Sequence, residues 1–184
     1  NKWRSVTFGF GYNRLNNFNE RILSEGYNNT SSITDEWKYR ANGTTPENLS
    51  PFDSQLAFDT WLIDTVGSLT NYKTAMGNYG QLQRKSITSK GGINQFNFSF
   101  GANYDDKVYL GAGIGFSSIR YIENAIYKED DTEELIYDFK GLTLEDYLKT
   151  TGMGMDFKIG VIYRPQDWLR LSAAFHTPTF YALE

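Results

Sequence analysis

Along much of this chain, apolar and polar residues alternate one by one, the period that places them on opposite faces of a β-strand. Five segments carry the pattern. In the first, about residues 3–15, Val6, Phe8, Phe10 and Tyr12 oppose Ser5, Thr7, Gly9, Gly11 and Asn13. The second, about 86–104, sets Phe96, Phe98, Phe100 and Ala102 against Asn97, Ser99, Gly101 and Asn103. The third, about 107–127, sets Val108, Leu110, Ala112, Ile114 and Phe116 against Gly111, Gly113, Gly115 and Ser117. The fourth, about 148–164, sets Met153, Met155, Phe157, Ile159 and Val161 against Gly152, Gly154, Asp156, Lys158 and Gly160. The fifth, about 168–177, opposes Leu169, Leu171, Ala173 and Phe175 to Arg170, Ser172, Ala174 and His176.

The connections alternate too. Asn103-Tyr104-Asp105-Asp106 and Arg164-Pro165-Gln166-Asp167 are built of turn-forming residues, whereas about 16–84 and about 128–147 are long. Short turns at one end and long loops at the other are the topology of an antiparallel, up-and-down transmembrane β-barrel. A water-soluble sheet with one buried face has the same alternation. Against it, the polar face is rich in glycine and small residues where a solvated face carries lysine, glutamate and threonine. The third strand is also long for a soluble sheet. Trp3, Tyr104, Tyr163 and Trp168 gather at the short-turn ends, and Tyr12, Tyr121 and Tyr127 lie toward the loops, as interfacial girdles would. The expected fold is therefore all-β: part of one barrel domain spanning 1–184, about five strands, with a long helix-containing extracellular loop.

That loop carries two helix signals. Ser32 and Asp35 open a helix over about Ile33–Arg40 that stops at Asn42-Gly43. Ser50-Pro51-Phe52-Asp53 predicts a second over about Pro51–Asp64, stopped by Gly67. The second would present Phe52, Leu56, Phe58, Trp61, Leu62 and Ile63, an apolar set that needs a partner surface.

Composition narrows the chemistry. The 184 residues include 16% aromatic residues, 17 glycines and no cysteine, at a formal net charge of -4. The absence of thiols removes disulfides and thiolate metal sites, and the charge argues against nucleic acid. No run of about 18 apolar residues predicts a membrane-crossing helix, a test to which barrel strands are blind. The chain starts at Asn1, and it reads as an excised or processed piece. Gly111-Ala112-Gly113-Ile114-Gly115 lacks the third glycine of a dinucleotide loop, with Phe116 in that place. His176 is the only histidine, and Ser172 lies four strand residues away, roughly 13 Å, too far for a nucleophile–base pair. No enzyme, cofactor or metal site is expected. Glu129, Asp130, Asp131, Glu133 and Glu134 lack calcium-loop spacing and are expected to form a solvated loop tip. Asp156, Lys158, Arg164, Arg170 and His176 project to the inferred lumen face, where charges escape lipid and opposite charges on neighbouring strands would pair.

The stretch from Gly152 through Lys158-Ile159-Gly160-Val161-Ile162-Tyr163-Arg164-Pro165, continuing through Trp168-Leu169-Arg170-Leu171 to His176-Thr177-Pro178, resembles a recurring hairpin of the FadL/TodX outer-membrane transport proteins. Phe98 to Tyr104 followed by Lys107 to Gly111 is similar to the preceding hairpin, and Trp3 to Asn13 more loosely so. The resemblance implies a fourteen-stranded barrel with an N-terminal hatch, in the outer membrane of a Gram-negative bacterium. Such a barrel takes up hydrophobic small molecules such as long-chain fatty acids or aromatic hydrocarbons. It is expected to be monomeric when complete and to meet outer-membrane lipid. Five strands cannot close it, and no hatch segment is visible. In this reading Phe52, Leu56, Phe58, Trp61 and Leu62 form the ligand-capture site. The alternative is a surface barrel with an adhesion or structural role.

Overall fold

The computed structural model describes residues 2–137 and 139–184. It is mostly antiparallel sheet with two short α-helices, and the sheet is not closed into a barrel. The strands are β1 (Trp3–Asn17), β2 (Glu20–Asn28), β3 (Ile63–Val66), β4 (Ser68–Thr74), β5 (Gln81–Tyr104), β6 (Val108–Asp130), β7 (Gly141–Gln166), β8 (Leu169–His176) and β9 (Phe180–Leu183). The helices are α1 (Ile33–Ala41) and α2 (Ser54–Asp59), with a 3-10 turn at Pro46–Asn48. The main sheet runs β1-β5-β6-β7-β8, with β2 also on β5 and β9 also on β7; β3 and β4 form a separate hairpin.

Contacts divide the chain into two compact units. The first is Asn1–Arg21, Thr88–Asn124 and Tyr147–Glu184; the second is Ile22–Ile87 and Ala125–Asp146. The strands thus run further than the alternation of their first-unit halves indicates: β5 begins at Gln81, β6 runs to Asp130, and β7 begins at Gly141. The connection expected over 128–147 shrinks accordingly to residues 131–140, and the one over 16–84 holds β2, both helices and the β3–β4 hairpin.

In the first unit, β1 pairs with β5 so that Phe8 meets Phe100, Phe10 meets Phe98 and Tyr12 meets Phe96. Their rings lie 5.4, 5.3 and 5.0 Å apart, an aromatic cross-strand ladder. The β5–β6 hairpin turns on Asp105 and Asp106, whose φ of 56° and 54° is the left-handed pair a two-residue turn needs. Asn103 secures it, donating to Asp106 Oδ1 (2.7 Å) and accepting from the Asp106 amide (3.1 Å). At the other edge, His176-Thr177-Pro178 ends β8. The Thr177 amide donates to the Phe157 carbonyl (3.0 Å) and its hydroxyl accepts from the Phe157 amide (2.9 Å), after which the chain resumes as β9 along Met153–Met155. Pro178 has no N–H to continue the ladder, so this motif marks a strand interruption.

The second unit has a conventional apolar core: Trp37, Ala41, Leu49, Ala57, Ile63, Tyr72, Met76, Ile136, Phe139 and Leu142. Helix α1 enters it with a complete capping box between Ser32 and Asp35, as the sequence predicts, and ends at Asn42. Helix α2 is shorter than the sequence predicts. Pro51 to Asp53 form a turn, Asp53 caps the helix, and its C-terminus closes at Thr60. Trp61 sits at φ 62°, while its amide bonds the Phe58 carbonyl and the Leu62 amide bonds the Ala57 carbonyl. This is a Schellman closure with tryptophan at the left-handed position that glycine usually takes. Gly67, expected as the helix stop, instead turns the β3–β4 hairpin at φ 74°.

Candidate functional site

In the first unit large apolar side chains are exposed on one sheet face, and polar side chains are buried on the other. Phe8, Met153 and Phe175 are 78%, 76% and 65% exposed, while Gln95, Ser117 and Asp156 on the opposite face are 5%, 3% and 3% exposed. The apolar face formed by Phe8, Phe10, Phe98, Phe100, Leu110, Met155, Phe157, Ile159, Leu171 and Phe175 carries no charge. The polar face holds a network spanning three strands. Gln95 on β5 donates to Ser117 Oγ on β6 (3.1 Å) and to Asp156 Oδ2 on β7. Lys158 Nζ lies 3.1 Å from Asp156 Oδ1 and donates to Asn97 Oδ1 (3.2 Å). The ion pair therefore runs along β7, two residues apart on one face, instead of between neighbouring strands as expected. Its cross-strand partners are the side-chain amides of Gln95 and Asn97 on β5. Gly115 explains part of the glycine alternation: a Cβ there would lie 2.7 Å from Gln95 Nε2 and 2.9 Å from Asp156 Cγ. The absence of a side chain makes room for the network.

The other residues expected to line a lumen fall outside that network. Arg164 pairs with Asp167 (2.7 Å) beside the β7–β8 turn. Arg170 and His176 are exposed on β8, with His176 in register with Lys158. Ile162 shares the Asp156–Lys158 face but is apolar and exposed, a break in the alternation.

The second unit contains an apolar groove of about 420 Å³, lined by Trp37, Leu56, Ala57, Thr60, Leu62, Gly141, Leu142, Thr143, Leu144 and Glu145. Of the five expected capture residues, the groove includes Leu56 and Leu62. Phe58 packs edge-on to Tyr72 at 6.1 Å against the core. Phe52 and Trp61 are strongly exposed and do not line the groove. Sequence reasoning passed over Trp37 and the Leu142–Leu144 segment. Trp37 sits on the apolar side of α1 between polar neighbours, and the β7 segment lay within an expected loop.

One carboxylate organises the helix beside this groove. Glu129, expected at a solvated tip, is completely buried. Its Oε1 accepts from the Ile33 amide (2.8 Å), Tyr127 Oη (2.6 Å) and Gln83 Nε2 (3.2 Å); its Oε2 accepts from Ser32 Oγ (2.7 Å). Ser32 and Ile33 open α1, so the anion sits at the positive end of that helix. The donor directions then follow. Ser32 Oγ gives its proton to Glu129 and accepts one from Thr34 Oγ1 (3.0 Å). Thr74 must therefore donate to Thr34 across their 2.6 Å contact. Burial, then the hydrogen bond and charge of Glu129, push the Tyr127 phenol well above its ordinary value. Burial raises the Asp35 carboxyl, but bonds from the Ser32 amide, Tyr79 and Lys38 outweigh it and leave the group below its usual value. Asp131 is also buried, and it accepts from the Leu135 (3.1 Å) and Ile136 (2.8 Å) amides to shape the 131–140 connection.

Among the described residues, no group of three or more His, Cys, Asp or Glu side chains is placed to hold a metal ion, and no helix is long and apolar enough to cross a membrane. Comparison with known protein families, characterised proteins and solved structures finds no match.

Proposed function

We propose that the chain forms part of the wall and extracellular loop layer of an outer-membrane β-barrel channel that takes up hydrophobic small molecules. The observation that carries this reading is the reversed burial of the first unit. An apolar sheet face free of charge over Phe8, Phe10, Phe98, Phe100, Phe157 and Ile159 is exposed, while Gln95, Ser117 and Asp156 are buried on the other face. In water that arrangement is unfavourable by roughly 25 cal/mol per Å² of apolar surface left wet; against hydrocarbon the sign reverses. Each unpaired strand edge would likewise need a neighbouring strand to satisfy its backbone within a membrane. The second unit, with its own apolar core and groove, fits the role of a folded loop layer in which ligand is captured. Passage down a gradient requires no covalent step.

The absence of cysteine makes the test direct. Single cysteines at Phe98 and Leu171, and at the adjacent Ser99 and Ser172, are labelled with an environment-sensitive fluorophore in vesicles containing brominated lipid. Strong quenching at Phe98 and Leu171 with little at the serines is the expected outcome. Equal quenching within each neighbouring pair would refute a lipid-facing wall. Uptake of labelled fatty acid or toluene into vesicles carrying the full-length protein then separates transport from an adhesion or structural barrel, which would give no uptake above the lipid background.

A further inference from the structure

We infer that the groove of the second unit selects uncharged apolar molecules over carboxylate-bearing ones, an inference that rests on the capture role proposed above. The reason is the groove's charge. Among the described residues, its lining is apolar apart from the Thr60 and Thr143 hydroxyls and one charged residue, Glu145. No lysine or arginine lines it. The basic groups of α1 are already engaged: Lys38 with Asp35 at 3.3 Å, and Arg40 with Glu36 at 2.8 Å and Asp53 at 2.9 Å. A fatty-acid anion entering this groove gains no cation and meets a like charge. An alkanol or an aromatic hydrocarbon meets hydroxyl groups and apolar walls, with no charge to oppose it. Two like charges about 6 Å apart in an effective dielectric of roughly 40 repel by about tenfold in affinity.

The experiment uses the protein in phosphatidylcholine nanodiscs at about pH 8, where dodecanoate is ionised. Dodecanol and dodecanoate compete with the neutral probe N-phenylnaphthylamine, and empty nanodiscs are subtracted. Because an alcohol partitions from water better than a carboxylate in any apolar site, the readout is the change in the dodecanoate-to-dodecanol Kd ratio between variants. Glu145 is exposed, so its replacement leaves the core intact. Glu145→Gln is expected to lower the ratio about tenfold and Glu145→Lys further. A ratio unchanged in both variants overturns the charge selection. Leu56→Asp separates the two readings. If it weakens both ligands while the Glu145 variants leave the ratio unchanged, the groove captures ligand without discriminating charge. If it weakens neither, the groove is not the capture site, and the charge selection falls with that capture role, whereas the lipid-facing wall is decided by the quenching measurement alone.

Discussion

Removal of the Glu129 carboxylate is expected to unpin α1 from the second unit. Glu129 is fully buried and accepts four hydrogen bonds. In Glu129→Ala two of the donors keep a partner or find one. Gln83 Nε2 still reaches the Ser31 carbonyl at 2.9 Å, and the Ser32 hydroxyl can turn toward Thr34. The Ile33 amide and the Tyr127 hydroxyl are left without their acceptor. Hydrogen bonds to a charged group contribute about 2 kcal/mol each, so the loss is about 4 kcal/mol, or about three orders of magnitude in local opening. Glu129→Gln keeps the shape and one acceptor oxygen, but it turns an NH2 group toward the Ser32 hydroxyl. Its cost is about 2 kcal/mol, near thirtyfold. Hydrogen–deuterium exchange reads this directly. Amides of α1 that are protected by their helical bonds should exchange about a thousandfold faster in the alanine variant and about thirtyfold faster in the glutamine variant. Amides of Phe157–Val161 in the first unit should not change. Exchange of the α1 amides within threefold of wild type in Glu129→Ala would refute the view that this carboxylate holds the helix.

Three further outcomes are expected. Gly115→Val would drive a branched side chain into Gln95 and Asp156, lowering stability by about 3 kcal/mol, read as a lower urea midpoint at unchanged slope. Trp61→Gly relieves the left-handed backbone position and should stabilise α2 by about 1 kcal/mol, measured by exchange at the Leu56 to Thr60 amides. The raised Tyr127 phenol means the folded chain binds more protons than the unfolded chain above the ordinary tyrosine range. Its contribution is therefore complete below about pH 10 and is lost as pH rises past it. The stability of α1 should therefore fall less steeply with pH above about 10 in Tyr127→Phe, where that titration is absent.

The two units obey opposite rules about what to bury, and this decides where sequence reasoning reaches. In the first unit a residue's face follows from strand period, so the apolar faces of Phe8, Phe10 and Tyr12 and of Phe96, Phe98 and Phe100 were legible, while their pairing into a ladder came only with the register. In the second unit the core is assembled from α1, α2, the β3–β4 hairpin and the 131–142 segment, which are distant in sequence. Its apolar residues recur at no single period. The α2 helix was overextended because its terminator is Trp61, a residue type with no intrinsic preference for the left-handed conformation.

Strand alternation, turn chemistry and the Ser32–Asp35 capping box are local properties, set by backbone geometry within a few residues, and the amino-acid order determines them unaided. The partners of charged groups are another matter. Whether Glu129 meets water or a helix N-terminus depends on a contact nearly a hundred residues away along the chain, at Ser32 and Ile33. Likewise, Asp156 could be assigned to a face but not to its neighbours Gln95 and Ser117, and Leu56 and Leu62 enter a groove completed by Trp37 and Leu142. Electrostatic and packing energies depend on distance in space, and only the tertiary structure supplies those distances.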